Sequence, residues 1–339
     1  MHEAILYDRL SRNRVRCRLC AHGCTIEPGS RGICAVRENV EGRLVSLTHG
    51  RLIARDIDPI EKKPLYHFYP GTRAYSIATV GCNFTCLHCQ NHYISQYPRT
   101  RAGRVVGDRV PAADVVAAAI DGGCHSIAYT YSEPTIAIEY VLEVMELARA
   151  HGLTNVWVTN GYFTADAFER IEPHLDAANV DLKGISDRFY HEIVGGNVRP
   201  VLHTIERLHR AGIWVEVTTL VIPGENDAAD DLRWTAEAVV GISPQIPWHV
   251  SRFFPAHRML DLPPTPVDTL EAAGRIGREA GVRYIYLGNV PGEGETTRCA
   301  ECGEFVIVRS GHRVKENWLV DGRCPECGAT VDGVWFPAE

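Results

Sequence analysis

Cysteine is the residue type with the most informative placement in this chain of 339 residues, which contains 12 of them. Eleven occur in three groups, and only Cys124 stands alone, in a segment where a small buried residue explains it. The groups are Cys17, Cys20, Cys24 and Cys34; Cys82, Cys86 and Cys89; and Cys299, Cys302, Cys324 and Cys327. Thiols gathered in this way, in a chain whose start lacks a secretion signal, indicate metal or redox chemistry rather than a disulfide framework.

The central group supplies three thiolates within a short segment, from Cys82 to Cys89. A loop with this spacing wraps around one iron–sulfur cluster, and no fourth cysteine lies close to it in the sequence. Three protein ligands leave one iron open for binding a substrate or cofactor. A structural zinc ion would require a fourth ligand, for which His88 and His92 are candidates. The spacing therefore favours an open cluster and keeps zinc as the alternative.

The last group forms two Cys-x-x-Cys knuckles, which are typical of one tetrahedral site with four sulfur ligands. Such a site holds zinc in a zinc ribbon or iron in a rubredoxin-like fold. Zinc is favoured, because a tail of about fifty residues gains folding energy from a closed metal site without needing redox chemistry. We therefore expect a C-terminal metal-binding domain over residues 291–339.

The first group, from Cys17 to Cys34, supplies four further thiolates. Its spacing suits either zinc or an auxiliary iron–sulfur cluster. The nearby glycines Gly23, Gly29 and Gly32 suggest knuckle turns, which favours zinc. This Cys-rich N-terminal region is predicted to cover residues 1–71, with a Pro-bounded turn over residues 58–64 leading towards the next domain.

Between residues 74 and 289, short β-branched runs alternate with longer amphipathic segments. The predicted strands cover residues 75–80, 126–130, 155–159, 179–182, 214–221, 249–253 and 283–287. The predicted helices cover residues 112–121, 134–150, 201–211, 227–240 and 267–280. This alternation indicates βαβ units around a parallel sheet, here a barrel or partial barrel over residues 72–290. Residues 290–295 are predicted to link it to the tail.

Charge and hydropathy exclude some classes of function. A net charge of −7 at pH 7 argues against a protein that coats nucleic acid by counterion release. No uncharged apolar run approaches the length of a membrane span, and residues 1–9 lack the apolar core of a signal peptide. We therefore expect a cytoplasmic enzyme with no membrane or nucleic-acid partner.

The central Cys-x-x-x-Cys-x-x-Cys spacing, placed after the first predicted strand, resembles the signature of the radical S-adenosylmethionine (SAM) superfamily. The resemblance implies an α/β fold with a partial (β/α)6 TIM-like barrel, and a [4Fe-4S] cluster on Cys82, Cys86 and Cys89. It further implies that SAM binds the open iron and is cleaved reductively to a 5′-deoxyadenosyl radical, which abstracts hydrogen from a substrate. A reductant such as flavodoxin or ferredoxin is implied as well, and His88 would lie against the adenine.

Other strand ends resemble SAM-binding segments of glycyl-radical-enzyme activases. Residues 129–134 are similar to a Gly-Gly-Glu-Pro turn, which implies that Glu133 holds the SAM ammonium group. Asn160, in a Thr-Asn-Gly turn, would approach the ribose, although Val158 replaces an aspartate common in those activases and Asn160 could be only a turn residue. The Asp181–Lys183 segment would bring Lys183 to the SAM carboxylate.

Two histidines follow the sixth predicted strand or lie within it. His257 comes after a proline, as in an activase segment near SAM, and it is therefore predicted to contact the cofactor. His249 is an alternative, since its position allows it to point into the barrel. A lone histidine is also often structural.

Residues 59–68, 81–84, 89–91, 181–184 and 216–224, together with both outer cysteine groups, resemble the radical SAM component of the AmmeMemoRadiSam system. That family is similar to pyruvate formate-lyase activating enzyme, and the resemblance implies Memo-like and AMMECR-like partner proteins. It favours a radical SAM enzyme that acts on a small molecule or peptide. The alternatives are a glycyl-radical-enzyme activase and a non-enzymatic zinc-binding interaction protein.

Overall fold

An eight-stranded sheet is the framework of the protein in the computed structural model, which describes residues 2–290 and 293–336. Its strands are β1 (Ala54–Pro59), β2 (Arg73–Ala78), β3 (Ser126–Tyr129), β4 (Thr154–Thr159), β5 (Ala177–Asp181), β6 (Trp214–Val221), β7 (Trp248–Arg252) and β8 (Ile285–Gly288). Each strand pairs with the one before it in the chain. Strands β2 to β8 are parallel, and β1 is antiparallel to β2. The predicted α/β fold with a partial TIM-like barrel is confirmed, with seven parallel strands where a (β/α)6 barrel has six.

The longer helices connect consecutive parallel strands. They are α1 (Ala112–Asp121), α2 (Ile138–Ala150), α3 (Ala165–Ile171), α4 (Val198–Arg210), α5 (Ala229–Ile242) and α6 (Val267–Ala280). Helix α6 packs closely on the sheet because Gly277 has no side chain, and a Cβ there would lie 2.7 Å from Ile285 Cδ1 and 2.9 Å from Trp248 Cζ3. Helix α3 was missing from the sequence prediction, since it spans only seven residues and its start depends on the Thr164 side chain, which accepts a hydrogen bond from Ala167 N.

Strand β1 is the main difference from the predicted order of elements. The turn expected over residues 58–64 begins as the end of this strand and continues as the 3₁₀ helix Ile60–Lys62. Proline is tolerated at Pro59 because β1 is the edge strand of the sheet. Its sequence, Ala-Arg-Asp-Ile-Asp-Pro, is too polar to show the apolar pattern of a strand. The barrel sheet therefore begins inside the region that the sequence assigned to the N-terminal domain.

The N-terminal region consists of two small antiparallel sheets. One contains the strands Tyr7–Arg9, Val15–Cys17 and Thr25–Ile26, and the other contains His2–Glu3, Arg37–Val40 and Arg43–Ser46. Arg37 fastens this region to the barrel through a buried ion pair with Glu139 of α2, at 2.7 Å between Nη2 and Oε1. A third sheet pair joins Arg51–Leu52 to Asp108–Arg109.

The C-terminal tail forms the sheet Thr297–Arg298, Phe305–Ser310 and Arg313–Asn317 and covers the N-terminal end of the barrel. Its Val306 and Ile307 share an apolar cluster with Tyr66, Tyr284 and Tyr286. The fully buried Arg309 donates to the carbonyl of Tyr66 at 2.6 Å, which joins the tail to the segment before β2. Of the predicted linker, residues 291–292 lie outside the described part, and Glu293–Glu295 forms a 3₁₀ turn. No helix in residues 2–290 and 293–336 has the length and apolar character needed to cross a membrane.

Candidate active site

The C-terminal ends of the parallel strands surround a cavity of about 720 Å³. Its polar lining includes Cys82, Cys86, His88 and Cys89 after β2, Glu133 after β3, Asn160 after β4, Asp181 and Lys183 at the end of β5, and Ser251 and Asn289 near the ends of β7 and β8. Functional residues of α/β barrels gather at this end, because the loops that follow the strands meet there. The structure thus brings together the central cysteines and five of the six predicted cofactor-binding residues.

The cysteine loop is held in place by its backbone. Thr85 N and Leu87 N donate to the carbonyl oxygens of Val194 and Ile193, at 3.0 and 2.9 Å. The loop begins at Gly81, which has a φ of +99° and sits so tightly that a Cβ would lie 2.8 Å from Val36 Cγ1. Only glycine fits this combination of conformation and space. The position of the three thiols is therefore fixed before any ligand binds.

The spacing of these thiols does not suit a single zinc ion. Two thiolates bound to one zinc at about 2.3 Å lie at most about 4.6 Å apart. Within residues 2–290, the sulfurs of Cys82, Cys86 and Cys89 are not all within 4.8 Å of one another. A cluster of several iron atoms spans wider distances between its ligands, so this donor set fits an iron–sulfur cluster.

Glu133 is buried, and both its oxygens accept hydrogen bonds from the neighbouring strand ends. Oε1 accepts from Thr135 N at 3.0 Å and from Thr159 Oγ1 at 2.9 Å, and Oε2 accepts from Asn160 N at 2.8 Å. Burial raises the pKa of Glu133, whereas the hydrogen bonds from Thr135 and Asn160 oppose that rise. The carboxylate lines the cavity and at the same time ties β3 to β4.

Lys183 also lines the cavity, and its Nζ lies 2.8 Å from Asp181 Oδ2. Burial opposes the charge on this lysine, but the nearby Asp181 carboxylate outweighs burial and raises the pKa of Lys183. The lysine is therefore a fixed cation beside the cysteine loop. Its ion pair is with Asp181.

His88 and Asn160 both line the cavity, but they differ in their hydrogen bonds. His88 is 4% exposed, and its Nδ1 has no hydrogen-bond partner in the described residues. Burial, followed by the charge of Lys183, lowers the pKa of His88 to about 3, so the ring is neutral at physiological pH. Asn160 donates to Asn83 Oδ1 at 2.7 Å and accepts from Tyr162 N at 3.1 Å, so it holds a turn and the cysteine loop together.

The two histidines considered at the sixth predicted strand, His249 and His257, are not among the described residues that line the cavity. The ring of His257 stacks on His92 with 4.6 Å between centroids. The next residue binds the cysteine loop, since Arg258 N donates to Leu87 O at 2.9 Å. His249 does point into the barrel, but its Nε2 lies 2.6 Å from Glu216 Oε2 in a buried pair below the cavity.

The sequence did not predict a further group of polar residues, which lies at the mouth of the cavity. The carboxylate of Asp58, on β1, accepts hydrogen bonds from Lys62 Nζ at 2.7 Å, from Lys63 Nζ at 2.6 Å and from the Tyr131 hydroxyl. Although burial opposes it, hydrogen bonds from Lys62 and Lys63 lower the pKa of Asp58. Lys62 and Tyr131 line the cavity. The sequence feature that could have indicated this group is the Glu-Lys-Lys stretch at residues 61–63. It comes close to the cavity because it follows strand β1, which the sequence did not predict.

The four cysteines of the tail form a compact set of ligands. Cys299 Sγ lies 3.6 Å from Cys327 Sγ, and Cys302 Sγ lies 3.7 Å from Cys324 Sγ. All four sulfurs are within 4.8 Å of one another. A tetrahedral ion with bonds of about 2.3 Å to sulfur has S–S distances of about 3.8 Å, which this set matches. The tail is thus suited to a closed mononuclear metal site.

Comparisons with known proteins agree with this geometry. Residues 76–235 match the family model of the radical SAM superfamily. The chain is 42% identical over 336 residues to an uncharacterized protein of Methanocaldococcus jannaschii. The aligned part covers 98% of this chain and 99% of that protein. The chain belongs to the radical SAM superfamily. It is therefore an enzyme, and the hypothesis of a non-enzymatic zinc-binding protein is wrong.

Solved structures share the fold of this radical SAM enzyme. A radical SAM methyltransferase from Sphaerobacter thermophilus superposes with a TM-score of 0.50 at 16% identity, covering 70% of this chain and 71% of that chain. Streptococcus suis SuiB bound to S-adenosylmethionine gives a TM-score of 0.50 at 11% identity, covering 68% and 53% of the two chains. Membership of the superfamily implies a [4Fe-4S] cluster and SAM as cofactors of the barrel.

Proposed function

We propose that this enzyme binds SAM in the barrel cavity and uses it to abstract hydrogen from a small molecule or a peptide, in cooperation with Memo-like and AMMECR-like proteins. The observation that carries the proposal is one cavity lined by three thiols of one loop, a buried carboxylate and a partly buried lysine. When bound, the reduced cluster supplies the electron that cleaves SAM to methionine and a 5′-deoxyadenosyl radical. The cytoplasm, where such reductants occur, is the proposed location.

The residues of the cavity match the groups of SAM in charge and polarity. Lys183, held by Asp181, is placed to bind the SAM carboxylate. Glu133 presents a carboxylate for the ammonium group, although the donors around it show that it has a structural role as well. The neutral ring of His88 offers an apolar face, against which the adenine can stack.

The cavity has the size of a site for a small-molecule ligand. Sites for small ligands usually measure about 300–1,000 Å³, and this cavity of about 720 Å³ lies in the upper part of that range. Its rim carries Lys62 and Asp56, which have opposite charges. The hydrogen donor therefore need not carry a strong charge of one sign, and a peptide or a neutral small molecule suits this rim.

The test of the proposed partnership uses the reconstituted enzyme, SAM labelled with tritium in the adenosyl group, and the Memo-like and AMMECR-like proteins of the same genome. We expect the two proteins together to increase the formation of tritiated 5′-deoxyadenosine, in which the label remains, and to yield a partner-dependent product derived from the substrate that has lost hydrogen. An unchanged rate and product pattern would count against the partners. A glycyl radical signal in electron paramagnetic resonance (EPR) spectra of an added glycyl radical enzyme would instead support the activase alternative.

A further inference from the structure

The four N-terminal cysteines line one small cavity at the junction of the N-terminal sheets and the barrel. Its volume is about 20 Å³, and its other walls include Leu19, Ile26 and Ile136. Cys17 and Cys34 are buried, at 7% and 8% exposure. A chain gathers four thiols around an enclosed apolar cavity when they bind a metal centre, since no disulfide joins them.

The spacing of these sulfurs differs from that of the tail. Within residues 2–290, no three of the four N-terminal sulfurs lie within 4.8 Å of one another, whereas all four tail sulfurs do. Thiolates sharing one zinc ion are at most about 4.6 Å apart. Like the central thiols, the N-terminal set is therefore spaced too widely for three of its sulfurs to share one zinc ion. This spacing departs from the zinc site that the neighbouring glycines favoured.

A buried cation accompanies the set. Arg37 lines the same cavity at 1% exposure, and its two terminal nitrogens bind Glu139. Its third nitrogen, Nε, is buried and has no hydrogen-bond partner in the described residues. An N–H group beside a metal centre commonly donates to thiolate or sulfide ligands, and such bonds adjust the reduction potential of the centre. The unpaired Nε is thus a donor ready for an inorganic sulfide or a cysteine sulfur.

The N-terminal site directly adjoins the cysteine loop of the barrel. His22, between two of the N-terminal cysteines, has its Nε2 2.8 Å from the carbonyl oxygen of Asn83, next to Cys82. Arg99 donates to the carbonyls of both Ile33 and Cys82, the latter at 2.8 Å. One layer of residues therefore separates the two sets of thiols.

We propose that Cys17, Cys20, Cys24 and Cys34 hold an auxiliary iron–sulfur cluster that relays single electrons to the cluster of the barrel. A low-potential one-electron carrier protein of the flavodoxin or ferredoxin class is oxidised as the auxiliary cluster is reduced. The auxiliary cluster then returns to its oxidised state as the barrel cluster gains that electron. Four protein ligands leave no open iron at the auxiliary site, which suits electron transfer rather than binding of SAM. The relay rests on the proposed function, whereas the presence of the cluster does not.

The cluster itself is tested in the full-length variant Cys82→Ala, Cys86→Ala, Cys89→Ala, reconstituted anaerobically with iron and sulfide. We expect about four iron atoms and matching sulfide per chain to remain, with an EPR signal after reduction, and one zinc from the tail. Zinc at two per chain and no iron would overturn the assignment. As a second measurement, Cys20→Ala with Cys24→Ala in the wild-type background should lose this iron and keep the barrel cluster, whereas Cys124→Ala should lose neither. Iron equal to wild type in the double variant would also overturn it.

The relay is tested by the rate at which a reduced flavodoxin-class protein reduces the barrel cluster, read by EPR in freeze-quenched samples without SAM. We expect reduction to be at least about tenfold slower in Cys20→Ala, Cys24→Ala than in Cys124→Ala, while dithionite, a small reductant, reduces both. An unchanged rate with the protein donor would exclude the relay. Because this measurement does not depend on SAM cleavage, failure of the relay and failure of the proposed function remain distinguishable.

Discussion

Burial decides the protonation state of the ionisable side chains around the cavity. His88 is neutral because burial and Lys183 both disfavour its charge, whereas Lys183 stays charged because the Asp181 carboxylate outweighs burial. An uncharged ring and a cation thus line the same cavity. The arrangement suits a ligand that has both an aromatic base and a carboxylate.

Replacement of Lys183 by Met should weaken SAM binding. A charge-assisted hydrogen bond contributes about 1.5–3 kcal/mol, so we expect the dissociation constant to rise roughly ten- to a hundredfold. The measurement is SAM affinity at matched iron content. Arg188→Met, which removes an exposed cation of the following segment, is the control and should leave the affinity unchanged. Equal affinity in Lys183→Met and wild type would refute the role of this lysine.

Replacement of Glu133 by Gln should affect both binding and stability. The amide keeps one oxygen and places its NH2 group against either the backbone donor of Thr135 or that of Asn160, which costs about 1–3 kcal/mol of unfolding free energy. We therefore expect a lower melting temperature together with weaker SAM binding. Because Lys183 pairs with Asp181, the double variant with Lys183→Met should lose affinity about additively. A double variant that binds SAM like wild type would instead indicate a direct Glu133–Lys183 pair.

The cysteine loop and the strand before it form the element on which the site depends. Gly81 combines a positive φ with close contacts to Val36 and the Cys34 carbonyl, and this places the loop against both the barrel and the N-terminal site. Strain at this one residue would displace all three thiols, since they follow it within eight positions. Loop geometry and cluster assembly are therefore linked.

Gly81→Ala should lower the iron content of the reconstituted enzyme and its stability. Gly212→Ala is the matched control, because Gly212 also has a positive φ, +76°, but nothing lies within 4 Å of its Cβ position. The control reports the backbone strain alone, about 1–3 kcal/mol. A larger loss of stability and of cluster absorbance is expected in Gly81→Ala, and equal losses in the two variants would show that close packing at Gly81 is unimportant.

The regular elements were largely predictable from the sequence, and the exceptions have physical causes. The strand over 214–221 has the predicted bounds, since it is rich in β-branched residues and its buried Val215, Val217 and Val221 share one face. Strand β1 was not predicted from the sequence, because an edge strand does not need an apolar pattern. The residues around Asp58 could not be placed without it. Spacing in the sequence also could not show how far apart the cysteine sulfurs lie, because that depends on how the loops pack.

In the whole molecule, the catalytic mouth and the metal-binding tail lie at opposite ends of the barrel. The tail closes the N-terminal end through the apolar cluster around Tyr66 and Tyr286. His67 is central to this contact, since its Nδ1 lies 2.6 Å from the carbonyl oxygen of Asp332 in the tail. The tail therefore forms the floor of the barrel and also carries the four cysteines that are suited to a metal ion.

The attachment of the tail should depend on pH through His67. Burial lowers the pKa of His67 to about 4 from the usual 6.5, so the unfolded chain binds this proton more readily than the folded one. The stabilisation is complete above pH 6.5 and is lost as the pH falls towards 4. We expect the melting temperature to drop more between pH 7.5 and 5.5 in wild type than in His67→Gln. The exposed His203 supplies the control, His203→Gln, whose drop should equal that of wild type; an equal drop in His67→Gln would contradict this role.

Anaerobic incubation of the reduced, reconstituted enzyme with SAM, followed by quantification of 5′-deoxyadenosine, decides whether the cysteine loop supports radical chemistry. We expect product from wild type and from Cys124→Ala, and none above background when Cys82, Cys86 or Cys89 is replaced by Ala while the barrel remains folded. Product formation by Cys86→Ala at the wild-type rate, or its absence from wild-type enzyme that carries a full barrel cluster, would contradict the function proposed for this protein.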